Sequence, residues 1–232
     1  MKKLKQDNFM GKKVHPLILR ISNIKNPAVT WHSQWIAKKR LFAKYLQEDE
    51  SIRKCIKKQT RDIGIDKILI QRSGKDGIEI TLPVSKPGMI IGRGGEKSER
   101  LKRDLEKLLD KKYKIKLTIT EIQKPNTSAE VLSEEARRLI ERRMPFRKVM
   151  KKIIDMAKKA GAQGVKIAMA GRLNGVEIAR REKLATGKMP LQNLRANIDY
   201  ARCSASTKWG QIGIKVWVYK GEVFENDGEL NR

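Results

Sequence analysis

The chain has 232 residues, enough for one large domain or two small ones with cores of their own. Lysine and arginine number 53 against 26 aspartates and glutamates, a net charge of +27, and such self-repulsion is tolerated best beside a polyanion, nucleic acid first. The apolar runs are far shorter than the ~20 residues a membrane span needs, and two isolated cysteines, Cys55 and Cys203, argue against a disulfide scaffold.

In chain order, residues 1–32 read as a basic arm. His15-Pro16 and Asn26-Pro27 favour extended backbone before each proline. Val14, Leu17, Ile18, Leu19 and Ile21 are too apolar for a solvated tail, so the arm is expected to pack on the body or on a partner. His15 and His32 lack ligand-spaced partners, and no metal site is expected.

Helical spacing opens near Ser33 and runs to Asp62 through Trp35, Ile36, Phe42, Tyr45 and Leu46. It resumes at Ile52 and Ile56 after an acidic break at Glu48–Glu50. Residues 65–72 and 78–84 read as strands around a turn at Ser73–Gly77; Ile78, Ile80 and Leu82 alternate with Glu79 and Thr81, as on a sheet with one wet face. MIIGRGGEKSERL (89–101) then sets a glycine cluster before a helix. Leu101, Leu105, Leu108 and Leu109 make that helix's apolar stripe, with Glu96/Arg100 and Glu99/Arg103 as i,i+4 pairs. Ile115, Leu117 and Ile119 mark a third strand.

Lys124-Pro125-Asn126 is the expected boundary, dividing a first unit at 33–124 from a second at 125–222, with a short tail at 223–232. Thr127 to Glu130 fits a capping box, opening a helix with Leu132, Ala136, Leu139 and Ile140 on one side. A second helix, 146–160, follows Pro145 and ends near Gly161. Strand-like runs follow at 164–172, 176–183, 196–206 and 211–220, with Asn174-Gly175 as a hairpin signal between the first two. Ile212, Ile214, Val216 and Val218 line one face of the last; packing, a partner surface or an RNA stack are the uses open to Trp217 and Tyr219 opposite, packing foremost. The fold class is α+β, in two units.

The glycine cluster does not fit nucleotide chemistry. A phosphate loop of the NTPase type needs Gly, four residues, then Gly-Lys-Ser/Thr; here Gly95 precedes Glu96, Ile90 stands where the first glycine belongs, and Gly187-Lys188 precedes Met189. The dinucleotide fingerprint is absent as well. A metal-dependent nuclease would need clustered carboxylates, whereas Glu177, Glu182, Asp199 and Glu222 are scattered. Gly92-Arg93-Gly94-Gly95 does match G-x-x-G, a loop that lets a nucleic-acid backbone approach main-chain amides, with Arg93 adding charge at the tip. Alone the tetrapeptide is an ordinary turn. After two strands, and before a leucine-striped helix and a third strand, it resembles a KH domain of the type found in bacterial proteins.

Residues 137–160 hold ten cations: Arg137, Arg138, Arg142, Arg143, Arg147, Lys148, Lys151, Lys152, Lys158 and Lys159. Phe146, Val149, Met150, Ile153, Ile154 and Ala157 form one buried stripe, which leaves the cations on the other side. Arg147/Lys151 and Lys148/Lys152 are like-charge i,i+4 pairs without acids to relieve them, as on a phosphate-tracking surface.

GKKVHPLILRI (11–21), WHSQW (31–35), ERRMPFRKVMKK (141–152), AGRLNGVEIARRE (170–182), LRANIDYA (194–201) and GIKVWVYKGE (213–222) resemble the bacterial-type family of small-subunit ribosomal protein three, over nearly the whole chain. The resemblance implies a type II KH domain followed by an α+β domain with two helices on a small, mostly antiparallel four-stranded sheet. It implies a structural, cytoplasmic protein of the subunit head that binds rRNA without cofactor or enzymatic activity. Small-subunit proteins ten and fourteen would be neighbours, and proteins four and five would share the tunnel through which mRNA enters. Arg147, Lys148 and Lys151 correspond to the family's cations credited with helping unwind mRNA. Lys12, Lys13, His15, Arg20, Arg142, Arg143, Lys152 and Arg172 are the candidate rRNA contacts within these blocks. Three departures stand out. Nine residues precede Met10, where the family usually begins, so either the chain is extended or translation starts at Met10. Arg93-Gly94 replaces a frequent lysine pair, weakening the loop's grip on RNA. Lys148 replaces a frequent arginine and loses its bidentate fork.

Overall fold

The computed structural model describes residues 14–21, 31–60, 63–73, 77–109 and 113–223. Its elements are α1 (Pro16–Arg20), β1 (Ser33–Gln34), α2 (Lys39–Gln59), β2 (Leu69–Ser73), β3 (Gly77–Val84), α3 (Pro87–Ile91), α4 (Glu96–Leu108) and β4 (Lys114–Glu121). After a 3-10 turn at Pro125–Thr127 come α5 (Ala129–Glu141), α6 (Phe146–Lys159), β5 (Gly164–Gly171), β6 (Arg180–Gly187), β7 (Ala196–Thr207) and β8 (Gly210–Glu222). The result is α+β, with two four-stranded sheets.

The first sheet has the order β1-β2-β3-β4, with β2 antiparallel to β3 and both outer pairings parallel. Ile78, Ile80, Leu82 and Val84 point from β3 into one core, where they meet Ile52 and Ile56 of α2 and Leu101 and Leu105 of α4. Each such side chain contributes ~1.5–3 kcal/mol on full burial. The second sheet, β6-β5-β8-β7, is antiparallel throughout. α5 and α6 cover the face carrying Ile212, Ile214, Val216 and Val218, forming a separate core.

Several elements differ from the sequence reading. Ser33 and Gln34 are not helical; they pair in parallel with Ile70 and Gln71. The acidic stretch does not break α2, because Asp49 is buried and satisfied. It accepts from Trp35 Nε1 at 2.8 Å and Ser33 Oγ at 2.9 Å, and pairs with Arg72 at 2.6 Å. Arg72 also reaches Glu48 at 2.8 Å and lies over the Tyr45 ring at 4.3 Å. A charge satisfied by three partners can sit inside a fold where an unpaired one could not. Ile36, counted in the apolar stripe, is fully exposed. So is much of Leu108, at 40%, because Leu109 at the helix end takes its place in the core.

Ser128, not Thr127, caps α5, accepting from the Val131 amide at 3.4 Å. Thr127 Oγ1 instead donates to the Lys124 carbonyl at 2.8 Å. Asn174-Gly175 does not make a two-residue hairpin. Gly171 pairs with Arg180, and the intervening loop folds through a 3-10 turn with Asn174 and Gly175 left-handed (φ 58° and 81°). The strand runs Arg180–Gly187 rather than 176–183. The turn core at 74–76 lies outside the described residues.

Candidate nucleic-acid interface

The glycine loop has the backbone its sequence demands. Gly92, Gly94 and Gly95 all take positive φ (74°, 61° and 83°), a region closed to most side chains. A Cβ on Gly92 would also come 2.9 Å from Lys97 Cγ. Gly95 caps α4 without a side-chain bond, Ser98 Oγ closes the turn on its carbonyl at 2.7 Å, and Arg93 is exposed at the tip. The Glu96 amide is taken up by the Arg93 carbonyl, and Glu96 and Glu99 in that first turn oppose an anion there.

α6 presents the more strongly cationic surface. Val149, Met150, Ile153, Ile154 and Ala157 are buried, while Arg147, Lys148, Lys151, Lys152, Lys158 and Lys159 are all exposed. None of these six cations makes an ion pair among the described residues. The ten-cation segment is nevertheless not uniform. Arg137 is buried and pairs with Glu134 and Glu141, and Arg138 pairs with Glu135, so both belong to the internal bonding of α5.

Arg142 and Arg143 stand exposed where α5 ends. The Arg143 amide bonds to Ile140 O (2.8 Å) and the Met144 amide to Leu139 O (3.1 Å), a Schellman ending. Arg143 occupies its left-handed position at φ 62°, where glycine is usual. Arg172 lies half-buried in the β5–β6 loop and donates through Nε to Val176 O at 3.0 Å, leaving its terminal nitrogens available for a further acceptor. In the same loop Asn174 Oδ1 accepts the Phe146 amide at 3.4 Å, tying it to the start of α6. Arg142, Arg143, Arg147, Lys148 and Arg172 thus gather at one end of the second sheet. The hairpin tip Lys208-Trp209 joins them there, and the sequence reading missed it; the two residues Lys-Trp between alternating strands were the available signal.

The arm is placed differently. α1 lies against β7 on the sheet face away from α5 and α6. Arg20 is 0% exposed, and its guanidinium donates to the carbonyls of Pro16 (2.8 Å), Pro190 (3.3 Å), Leu191 (3.0 Å) and Asn193 (2.8 Å). This corrects its assignment as an rRNA contact: its donors hold the arm to the body. His15 packs edge-on against Tyr200 at 4.7 Å, and burial lowers its pKa. His32 is driven to about 4 by burial and by Lys67 and Arg53. Lys12 and Lys13 lie outside the described residues. Tyr219 is buried with Ala196 and Ile198, and Trp217 packs with them; their packing partners are this strand pair and the 189–191 segment, not the two helices. Among the described residues no His, Cys, Asp and Glu cluster could hold a metal ion.

Comparison with known proteins finds two family models along the chain. The family model for the KH domain matches residues 51–127, and that for the C-terminal domain of ribosomal protein S3 matches 136–218. Small ribosomal subunit protein uS3 of Clostridium novyi (strain NT) is 46% identical over 214 residues, 92% of this chain and 94% of the relative. The uS3 protein of Clostridium botulinum (strain Okra / Type B1) is 44% identical over 222 residues, 96% and 97% of the two chains. That of Desulfatibacillum aliphaticivorans is 43% identical over 220 residues, 95% and 97%. With both domain models matched in order and such identity along almost its full length, the chain belongs to the family of small ribosomal subunit protein uS3.

Proposed function

We propose that this chain is a structural, rRNA-binding protein of the small ribosomal subunit, acting in the cytoplasm and not as an enzyme. Family membership supports that much. The finer reading puts it in the subunit head beside proteins ten and fourteen, with α6 lining the tunnel through which mRNA enters, near proteins four and five. Arg147, Lys148 and Lys151 would grip phosphates of the incoming message and disfavour re-annealing, while translocation supplies the work and no NTP is hydrolysed here. Arg142, Arg143, Lys152 and Arg172 would carry rRNA contacts. The KH loop, with Arg93 opposed by Glu96 and Glu99, would contribute less.

The observation that carries this reading is the α6 surface: a buried apolar stripe backed by cations that pair with no acid among the described residues. Like charges held at i,i+4 cost a few tenths of a kcal/mol per pair, a cost that bound phosphate reverses.

Sucrose-gradient sedimentation of a tagged copy tests the ribosomal role: stoichiometric migration with the small subunit through a moderate salt wash is expected. A protein left at the top of the gradient, or washed off freely, would instead be a free KH-type regulator. Replacing Arg147, Lys148 and Lys151 by alanine should then slow translation through structured mRNA while leaving an unstructured message unaffected. Equal slowing on both messages would remove the unwinding role.

A further inference from the structure

We propose that Trp209 is a stacking platform for an unpaired RNA base, beside the basic start of α6. Lys208 and Trp209 form the two-residue tip of the β7–β8 hairpin, closed by the pairing of Thr207 with Gly210 and by Thr207 Oγ1 donating to Gly210 O at 2.7 Å. One face of the indole rests on the backbone of Gly175. A Cβ there would come 2.8 Å from Trp209 Cε2, and Gly175 is left-handed at φ 81°, so glycine is needed on both counts. Among the described residues the cation over the ring is Lys208, its Nζ 4.5 Å from the centroid.

The ring is held in place yet 39% exposed, and it adds to no buried cluster. A scattered surface tryptophan needs no function, but this one has a seat built for it. The seat continues through Asn174 to the Phe146 amide, and the hairpin is tied to the end of α5 where the Ser206 amide donates to Glu141 Oε1 at 3.4 Å. The platform therefore lies between the two helix ends that present Arg143 and Arg147.

These surroundings select the ligand. An apolar protein partner would have to desolvate Lys208 on the ring and the arginines at the two helix ends, whereas a nucleotide brings an aromatic face and a phosphate together. A flexible, exposed lysine is readily displaced from the indole by a base, and its ammonium can then meet the adjoining phosphate. A duplex keeps its base faces stacked and offers none, so the site discriminates for single strands. This deepens the reading of α6 as an RNA surface and rests on it.

The test uses the full chain and two labelled RNAs of equal length, one unstructured and one a duplex, at constant salt. Trp209→Ala is expected to weaken the unstructured RNA on the order of tenfold and leave the duplex unchanged, with Trp209→Tyr restoring most of the loss. Equal loss on both RNAs, or none on either, overturns the platform. Alanine at Arg147, Lys148 and Lys151 reads the underlying interface separately, since it should weaken both RNAs and flatten the salt dependence; if it does neither, the α6 reading fails whatever Trp209 does. In assembled subunits, photocrosslinking with 4-thiouridine placed in mRNA or in rRNA identifies the source of the base by which RNA joins Trp209. Adducts confined to other residues with both RNAs overturn the proposal.

Discussion

Lys67, just ahead of β2, and Asp199, on β7, bring their charges to 3.4 Å across the junction between the two sheets. Asp199 is almost fully buried, and it also faces Lys220 at 3.6 Å and accepts the Ala129 amide at the start of α5 at 3.0 Å. Ser128 Oγ adds a bond of 2.9 Å to Asp66 beside it. One carboxylate thus joins the KH domain, the first turn of α5 and the second sheet. Arg142 and Arg143 stand at the other end of α5, so this junction sets how the cationic surface is held relative to the KH loop.

Replacing Asp199 by alanine should cost about 3–5 kcal/mol, because it removes the buried carboxylate on which Lys67, Lys220 and an α5 amide converge. Urea unfolding measures this, and a loss below about 1 kcal/mol would mean the cluster is screened like a surface pair. Burial pushes the Asp199 carboxyl up, but Lys67, Lys220 and the Ala129 amide outweigh it and hold it below the usual value. Its contribution is present above the ordinary carboxylate pKa of 3.8 and is lost as the pH falls through the lowered folded value.

Glu130 behaves in the opposite sense. Burial pushes it up to about 7, with Asp199, Asp66 and Glu134 adding to the shift and Lys57 opposing it. The folded protein then holds the proton more tightly than the unfolded chain, so the stability linked to it is full below about 4.5 and falls as the pH rises through 7. Glu130→Gln should therefore be more stabilising at pH 8 than at pH 5. A variant whose melting temperature tracks the unaltered chain at both pH values would show that Glu130 ionises normally.

Arg143 occupies a helix-ending position that glycine would take without strain. Arg143→Gly should raise stability by up to about 1 kcal/mol, by relief of the left-handed backbone. The same change should weaken RNA binding by removing an exposed cation. Thermal unfolding and filter binding separate the two effects; a variant that is both less stable and equally tight would show that the residue is structural.

Arg20→Lys should loosen the arm although the charge survives, because one ammonium cannot reproduce a planar fork spread over four carbonyls. Limited proteolysis should cut near residues 14–21 faster in the variant than in the unaltered chain. Equal cleavage rates would mean that the apolar contacts of α1 suffice.

Local pattern carried far in this chain. The alternation of Ile78, Ile80 and Leu82, the valine and isoleucine face of β8 and the stripe of α6 all name their own buried side. In each, the spacing of a strand or helix decides which residues share a face. The cationic surface of α6 was legible for the same reason, since burying one stripe dictates where the charges go. The KH order was legible because a glycine cluster with positive φ leaves few alternatives to a turn into a helix.

Which charges are spent inside the molecule was another matter, because their partners come from far along the chain. Asp49 read as a helix break until Arg72, 23 residues on, came over it. Arg20 read as an RNA contact, yet its acceptor on Asn193 is 173 residues away. Trp209 gained its seat only when the β5–β6 loop brought Gly175 beneath the ring. Residue type and spacing determine the faces of elements, and with them the class of fold and the sign of the surface. Whether a given arginine, aspartate or tryptophan is sealed in or offered to a ligand depends on desolvation and on long-range partners, and those exist only once the two sheets have formed.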